Sequence, residues 1–140
     1  MEQGAVLESE AIPFYEMAYD VNIRRVGYCS TDDMKIGCSP DGLIGENSGI
    51  EVKCPLPQTH LRYLLDGGLP KEYSAQVHGA MFVTKRPRWV FMSYCRKLPP
   101  LIVNVGSDQQ IQAVLREALD GFLARFDAAL ERVKAMKEGA

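Results

Sequence analysis

Residues 43–54, LIGENSGIEVKC, set two short apolar stretches on either side of Gly45-Glu46-Asn47-Ser48-Gly49, which is turn by composition. A loop of that length between β-type segments closes a hairpin. Its second arm alternates. Side chains two apart along a strand share a face, so Glu51 and Lys53 project one way and Ile50, Val52 and Cys54 the other. Asp41 follows Pro40 on the first arm, where the hairpin turns it toward the acid–base pair. The chain therefore has to build a sheet in which one face of a strand carries a carboxylate and an ammonium, with a second carboxylate nearby.

The rest of the sequence supplies the layers around that hairpin. Val6, Leu7, Ala11, Phe14, Tyr15 and Ala18 recur at helical spacing over residues 4–19, and Pro13 is expected to kink that helix or lie near an irregular turn. Residues 21–29 read as a strand, and Thr31-Asp32-Asp33 turns the chain into another at about 34–38. Residues 58–66 form a short helix ended by Gly67-Gly68, and a helix spans 71–84 with Tyr73, Val77, Ala80 and Met81 on one side. Trp89–Tyr94 and Leu101–Val105 are two further strands, in which Trp89 and Phe91 belong to the core. The last helix, 108–136, repeats Ile111, Val114, Leu115, Leu119, Phe122, Phe126, Leu130 and Val133, and is expected to pack on the sheet. The order implies an α/β (α+β) fold, a central mixed β-sheet flanked by helices, in a single domain over residues 1–140.

Composition narrows the function. A net charge of −2 argues against coating nucleic acid by bulk electrostatics, although Lys85, Arg86 and Arg88 cluster, as do Arg96 and Lys97. No apolar run approaches the roughly 18 residues of a membrane span, and the N-terminus lacks the pattern of a signal peptide. A cytoplasmic protein with no membrane partner is the expectation. Cys29, Cys38, Cys54 and Cys95 contain no CxxC pair and read as reduced thiols. His60 carries no pattern and reads as structural or exposed; His78 reads as a surface or partly buried imidazole of its helix.

Carboxylate oxygens suit hard cations such as Mg²⁺ or Mn²⁺, which retain several waters and bridge to phosphate oxygens. A lysine beside them can position a water or offset charge on a phosphate. An acid–base pair at i, i+2 is nevertheless common on half-exposed strands, so spacing alone leaves open a surface ion pair.

Ser39-Pro40-Asp41-Gly42 followed by Glu51-Val52-Lys53 resembles the PD-(D/E)xK nuclease motif. The run SPDGLI…IEVKCP is similar, within that superfamily, to the YqaJ-like viral recombinase and lambda exonuclease family. Gly4-xxx-Glu8 with Ala11 and Tyr15 resembles the family's opening helix, and Tyr73-Ser74-Ala75-Gln76-Val77 with Met81-Phe82-Val83-Thr84 its glutamine-bearing helix. All three blocks agree in order and separation, and the likeness continues into WVFMSY and the final helix.

The resemblance implies a restriction-endonuclease-like core and a metal-dependent DNA exonuclease. It would digest linear double-stranded DNA 5′-to-3′ in phage-type recombination, by two-metal phosphodiester hydrolysis. It implies Asp41 and Glu51 as ligands of Mg²⁺ (Mn²⁺ substituting, two ions in all), with the main-chain carbonyl of Val52 completing the protein's share. Lys53 would hold or deprotonate the attacking water, and Glu8 would touch the second ion, directly or through water. Gln76 would orient Glu8, Lys53 or the scissile phosphate, and Ser39 and Tyr73 would face DNA phosphate. It further implies double-stranded DNA ends as substrate, a single-strand annealing protein as partner, and a homotrimer. Longer family members carry residues ahead of the first helix that supply part of an end-phosphate pocket; here three residues precede Gly4. An endonuclease or nickase on the same core, or a non-catalytic DNA-end-binding module, are the competing readings.

Overall fold

The computed structural model describes the backbone of residues 2–139 and the side chains of residues 6–139, so the side chains of residues 1–5 lie outside the described residues. Backbone contacts divide the chain into a unit through Ser107 and a second unit from Asp108 onward. The first opens with helix α1 (Glu2–Tyr19) and continues through short strands β1 (Ile23–Arg24), β2 (Cys29–Ser30), β3 (Gly37–Cys38) and β4 (Gly42–Ile44). Strand β5 (Ser48–Lys53), helices α2 (Pro57–Asp66) and α3 (Lys71–Thr84), and strands β6 (Arg88–Ser93) and β7 (Leu101–Gly106) complete it.

Five strands form one sheet in the order β1-β4-β5-β6-β7, antiparallel except for the parallel pair β5–β6. A parallel pair needs a crossover, and α2 with α3 provides it. The expected mixed sheet flanked by helices is the architecture observed.

Both faces of β5 are covered, and alternation decides which layer each residue meets. Ile50 and Val52 pack with Val90 and Met92 against Ala11, Ile12 and Tyr15 of α1. On the opposite face Trp89 and Phe91 pack with Leu43 against Val77, Ala80 and Met81 of α3. Trp89 and Phe91 are core residues, 1% and 0% exposed. Gly49 is needed where it stands, because a Cβ there would overlap the Trp89 indole. Pro13 does not break α1, which runs on to Tyr19; the Glu16 carboxylate then accepts from the Ile23 amide at 2.7 Å and fixes the entry into β1.

The strand expected over 21–29 is two separate pieces. β1 joins the main sheet, whereas β2 pairs with β3 as an independent two-stranded ribbon. Between them the Tyr28 ring crosses over Gly37, in space that a Cβ would fill. The strand expected over 34–38 is likewise reduced to Gly37–Cys38. The turn before it is longer, with the Thr31 hydroxyl donating to Asp33 Oδ1, the Lys35 amide donating to the same oxygen, and Met34 at a φ of 59°.

The β4–β5 hairpin has a clamp that spacing does not reveal. Arg86 Nη1 donates to the carbonyls of Gly45 and Ser48, each at 2.7 Å, and lies 3.5 Å from that of Ile44. Charged donors on neutral acceptors are stronger than ordinary hydrogen bonds. Arg86→Ala is expected to cost about 1–3 kcal/mol, read as a lower urea midpoint at unchanged slope, with Arg86→Lys recovering part of the loss.

The second unit is helix α4 (Gln109–Glu138), capped by Asp108, whose carboxylate accepts from the amides of Gln110 and Ile111. Val114, Phe122, Phe126, Leu130 and Val133 all lie within this one helix, as their spacing predicts.

Candidate active site

Asp41 ends the β4–β5 ladder. The last paired residues are Gly42 and Ile50, and one step further the Asp41 carboxylate takes the place of a backbone acceptor, receiving the Val52 amide at 2.7 Å. The hydrogen bond pins the aspartate beside the stretch of β5 that carries Glu51. Pro40 before it is buried, while Ser39 is exposed.

Glu51 is the unexpected member. It lies on the face of β5 that α3 covers, and it is only 4% exposed. Two donors converge on one of its oxygens: Gln76 Nε2 and Lys53 Nζ each lie 2.6 Å from Oε1. Burial pushes the Glu51 carboxyl above its ordinary range, and the charge of Asp41 adds to that; the hydrogen bonds from Lys53 and Gln76 pull the other way without cancelling it. The open question of a surface ion pair is thereby answered. An exposed Glu–Lys pair would sit in water, whereas this carboxylate is desolvated under a helix.

Tyr73 and Gln76 lie one turn apart on α3, and both reach the same ion pair. The Tyr73 ring stacks on Phe91 at 5.3 Å between centroids, and Lys53 Nζ sits 5.1 Å from the centre of the Tyr73 ring. Tyr73 thus cradles the lysine.

Glu8 stays exposed on α1. Its charge and that of Asp41 both act on the Cys54 thiol, which burial first of all holds at about 11. Among the described residues, no three His, Cys, Asp or Glu side chains gather closely enough to hold an ion by themselves. Asp41 and Glu51 are brought together; a third carboxylate is not. All four cysteines are free, as expected.

Two further residues support the site, of which the sequence reading missed Arg25 and gave His60 only as structural or exposed. Arg25 Nη1 donates to the Asp41 main-chain carbonyl at 3.2 Å, yet an Arg-Arg pair after a strand carries no signal of such a role. His60 is fully buried, with Nδ1 2.7 Å from Ser93 Oγ and Nε2 2.9 Å from the Pro99 carbonyl. Since a carbonyl only accepts, Nε2 carries the proton and Nδ1 accepts from the serine. The bridge ties α2 to the end of β6, where Ser93 is the register partner of Lys53. His78 is also buried, at 6% exposure.

Comparison with known proteins bears on the fold and the family. The crystal structure of an alkaline exonuclease (LHK-Exo) from Laribacter hongkongensis superposes with a TM-score of 0.88 at 30% sequence identity, covering 96% of this chain and 72% of that one. The structure of LHK-Exo in complex with dAMP gives the same score and identity, covering 96% and 71%. No curated protein sequence matches the chain significantly. The family model of the YqaJ-like viral recombinase domain matches residues 1–87, which hold Glu8, Asp41, Glu51, Lys53 and Gln76. The chain belongs to the YqaJ-like viral recombinase domain family.

Proposed function

We propose that the chain is a DNA exonuclease of the phage-recombination type, hydrolysing phosphodiester bonds of linear duplex DNA from the 5′ end with the help of Mg²⁺. One observation carries this reading. Lys53 and Gln76 converge on a buried Glu51 whose neighbour Val52 holds the Asp41 carboxylate, on a fold shared with an alkaline exonuclease that also crystallised with dAMP.

The donors fit a hard divalent cation. Asp41 and Glu51 offer oxygen, and both donors to Glu51 use Oε1. Lys53 and Gln76 leave the burial of that carboxylate uncompensated, which an added positive charge would relieve. Asp41 and Glu51 would hold the ion, with the Val52 carbonyl beside them and Glu8 reaching a second ion through water. Bound there, divalent ions supply charge stabilisation for an in-line displacement at phosphorus and lower the pKa of water.

The chain's own residues supply the orientation. Gln76 and Lys53 fix Glu51 by hydrogen bonds to one oxygen, and the Val52 amide fixes Asp41. Lys53, held over the Tyr73 ring, has further N–H donors to direct at a water or at a non-bridging phosphate oxygen. Ser39 is exposed two residues before Asp41, where its hydroxyl can meet phosphate.

The proposal includes the homotrimer and the single-strand annealing partner that the family likeness implies. No helix among the described residues is long and apolar enough to cross a membrane.

The test is digestion in Mg²⁺ of duplex labelled at either end, beside a covalently closed circle of the same sequence. Release of label from the 5′ end with the circle intact is the expected result. Cutting of the circle would move the reading to an endonuclease, and DNA binding without hydrolysis even in Mn²⁺ would move it to a binding module.

A further inference from the structure

We propose that Arg25 is a direct contact to the DNA backbone, moored beside Asp41 and presenting its remaining donors to a phosphate of the bound strand. The inference rests on the nuclease reading above and adds a residue to it.

Its position follows from the sheet. β1 is the edge strand, and its last residue, Arg24, pairs with Leu43, so the next residue stands level with Gly42 and Asp41 as the chain leaves the sheet. There the Arg25 side chain is exposed and donates from Nη1 to the Asp41 carbonyl. A guanidinium has five N–H donors in a planar fork. One anchoring bond leaves an edge of that fork for the two-oxygen recognition of a phosphate.

Four other cations are already engaged. Lys53 is committed to Glu51 and Arg96 to Glu10, while Lys85 lies 3.5 Å from Asp32 and Arg86 is spent on the hairpin carbonyls. Among the described residues Arg25 makes no ion pair with a carboxylate; its partner is a neutral carbonyl. It therefore keeps its full charge for an incoming anion, beside two carboxylates that would otherwise repel a polyanion.

The competing role is orientation of Asp41 through the same hydrogen bond. Three variants separate the two. Arg25→Gln keeps an N–H donor without charge, Arg25→Lys keeps the charge without the fork, and Arg25→Ala keeps neither. Equilibrium binding of a fluorescent blunt duplex is measured in EDTA, across about 50–200 mM salt. If Arg25 meets phosphate, Arg25→Ala and Arg25→Gln weaken binding about 5–10-fold and flatten the slope of log K against log salt by about 1, while Arg25→Lys retains the slope. In Mg²⁺, KM for duplex rises in the same two variants and kcat changes little.

Unchanged affinity and slope in Arg25→Ala, with a lower kcat that Arg25→Gln restores, would overturn the proposal in favour of orientation. Failure of the nuclease reading looks different. There the wild-type chain binds duplex but does not digest it, and Arg25 is still judged on the salt slope. Absence of binding by the wild-type chain overturns both.

Discussion

Lys53→Ala protein is expected to fold like the wild type and to digest linear duplex DNA at least about 10³-fold more slowly, the scale on which loss of one positioned proton donor or acceptor acts. Lys53 sits at the end of β5 with its side chain 27% exposed, so truncation opens no cavity in the apolar core. Its work lies in the ammonium, which touches Glu51 at 2.6 Å and rests over Tyr73. Asp41→Ala should give a similar loss for a different reason. The carboxylate that holds the Val52 amide disappears, and with it half of the oxygen pair offered to the cation. The check is a single-turnover rate on end-labelled duplex, with circular dichroism and a thermal midpoint to establish folding. Near-wild-type rates in a well-folded Lys53→Ala would remove the lysine from the mechanism.

What made this site legible in the sequence is that its chemistry is locally encoded. The turn at 45–49 and the alternation of 50–54 are nearest-neighbour properties, and together they place Glu51 and Lys53 on one face and bring Asp41 across. The boundaries of α3 were equally readable. Burial was not. Nothing within residues 48–53 tells that α3 covers the polar face, and Glu51 at 4% exposure depends on a helix some 25 residues further on. Sequence likewise leaves His60 between structural and exposed, and the structure decides for the former through partners 33 and 39 residues away. Residues 21–29 misled through tertiary override. Their β-branched and aromatic residues favour a strand, yet the chain divides between the main sheet and a separate ribbon, with Gly27 in the break and Tyr28 crossing Gly37. In α4 a strong 3.6-residue period correctly signals a helix, because periodicity is a local property.

Glu51→Gln is expected to abolish digestion and at the same time raise the thermal midpoint of the metal-free protein. The sign follows from the direction of the pKa. Burial, aided by Asp41, lifts the folded-state value above the ordinary 4.5, so the folded protein binds this proton more tightly than the unfolded chain does. Stability then falls as pH rises. The penalty is absent below the ordinary carboxyl value, grows as pH climbs from there through the raised one, and is complete above it. A glutamine of nearly the same shape never ionises; it should show a flatter midpoint–pH profile between acid and neutral conditions and exceed the wild type at neutral pH. Added Mg²⁺ separates the cases further. An ion that binds only the folded state raises the wild-type midpoint with concentration, whereas the variant, lacking one of its two carboxylates, should respond weakly. If Glu51→Gln instead proves less stable than the wild type at neutral pH without metal, the hydrogen bonds from Lys53 and Gln76 outweigh the burial of the charge. The site would then be held together by its own ion pair and would not await a cation.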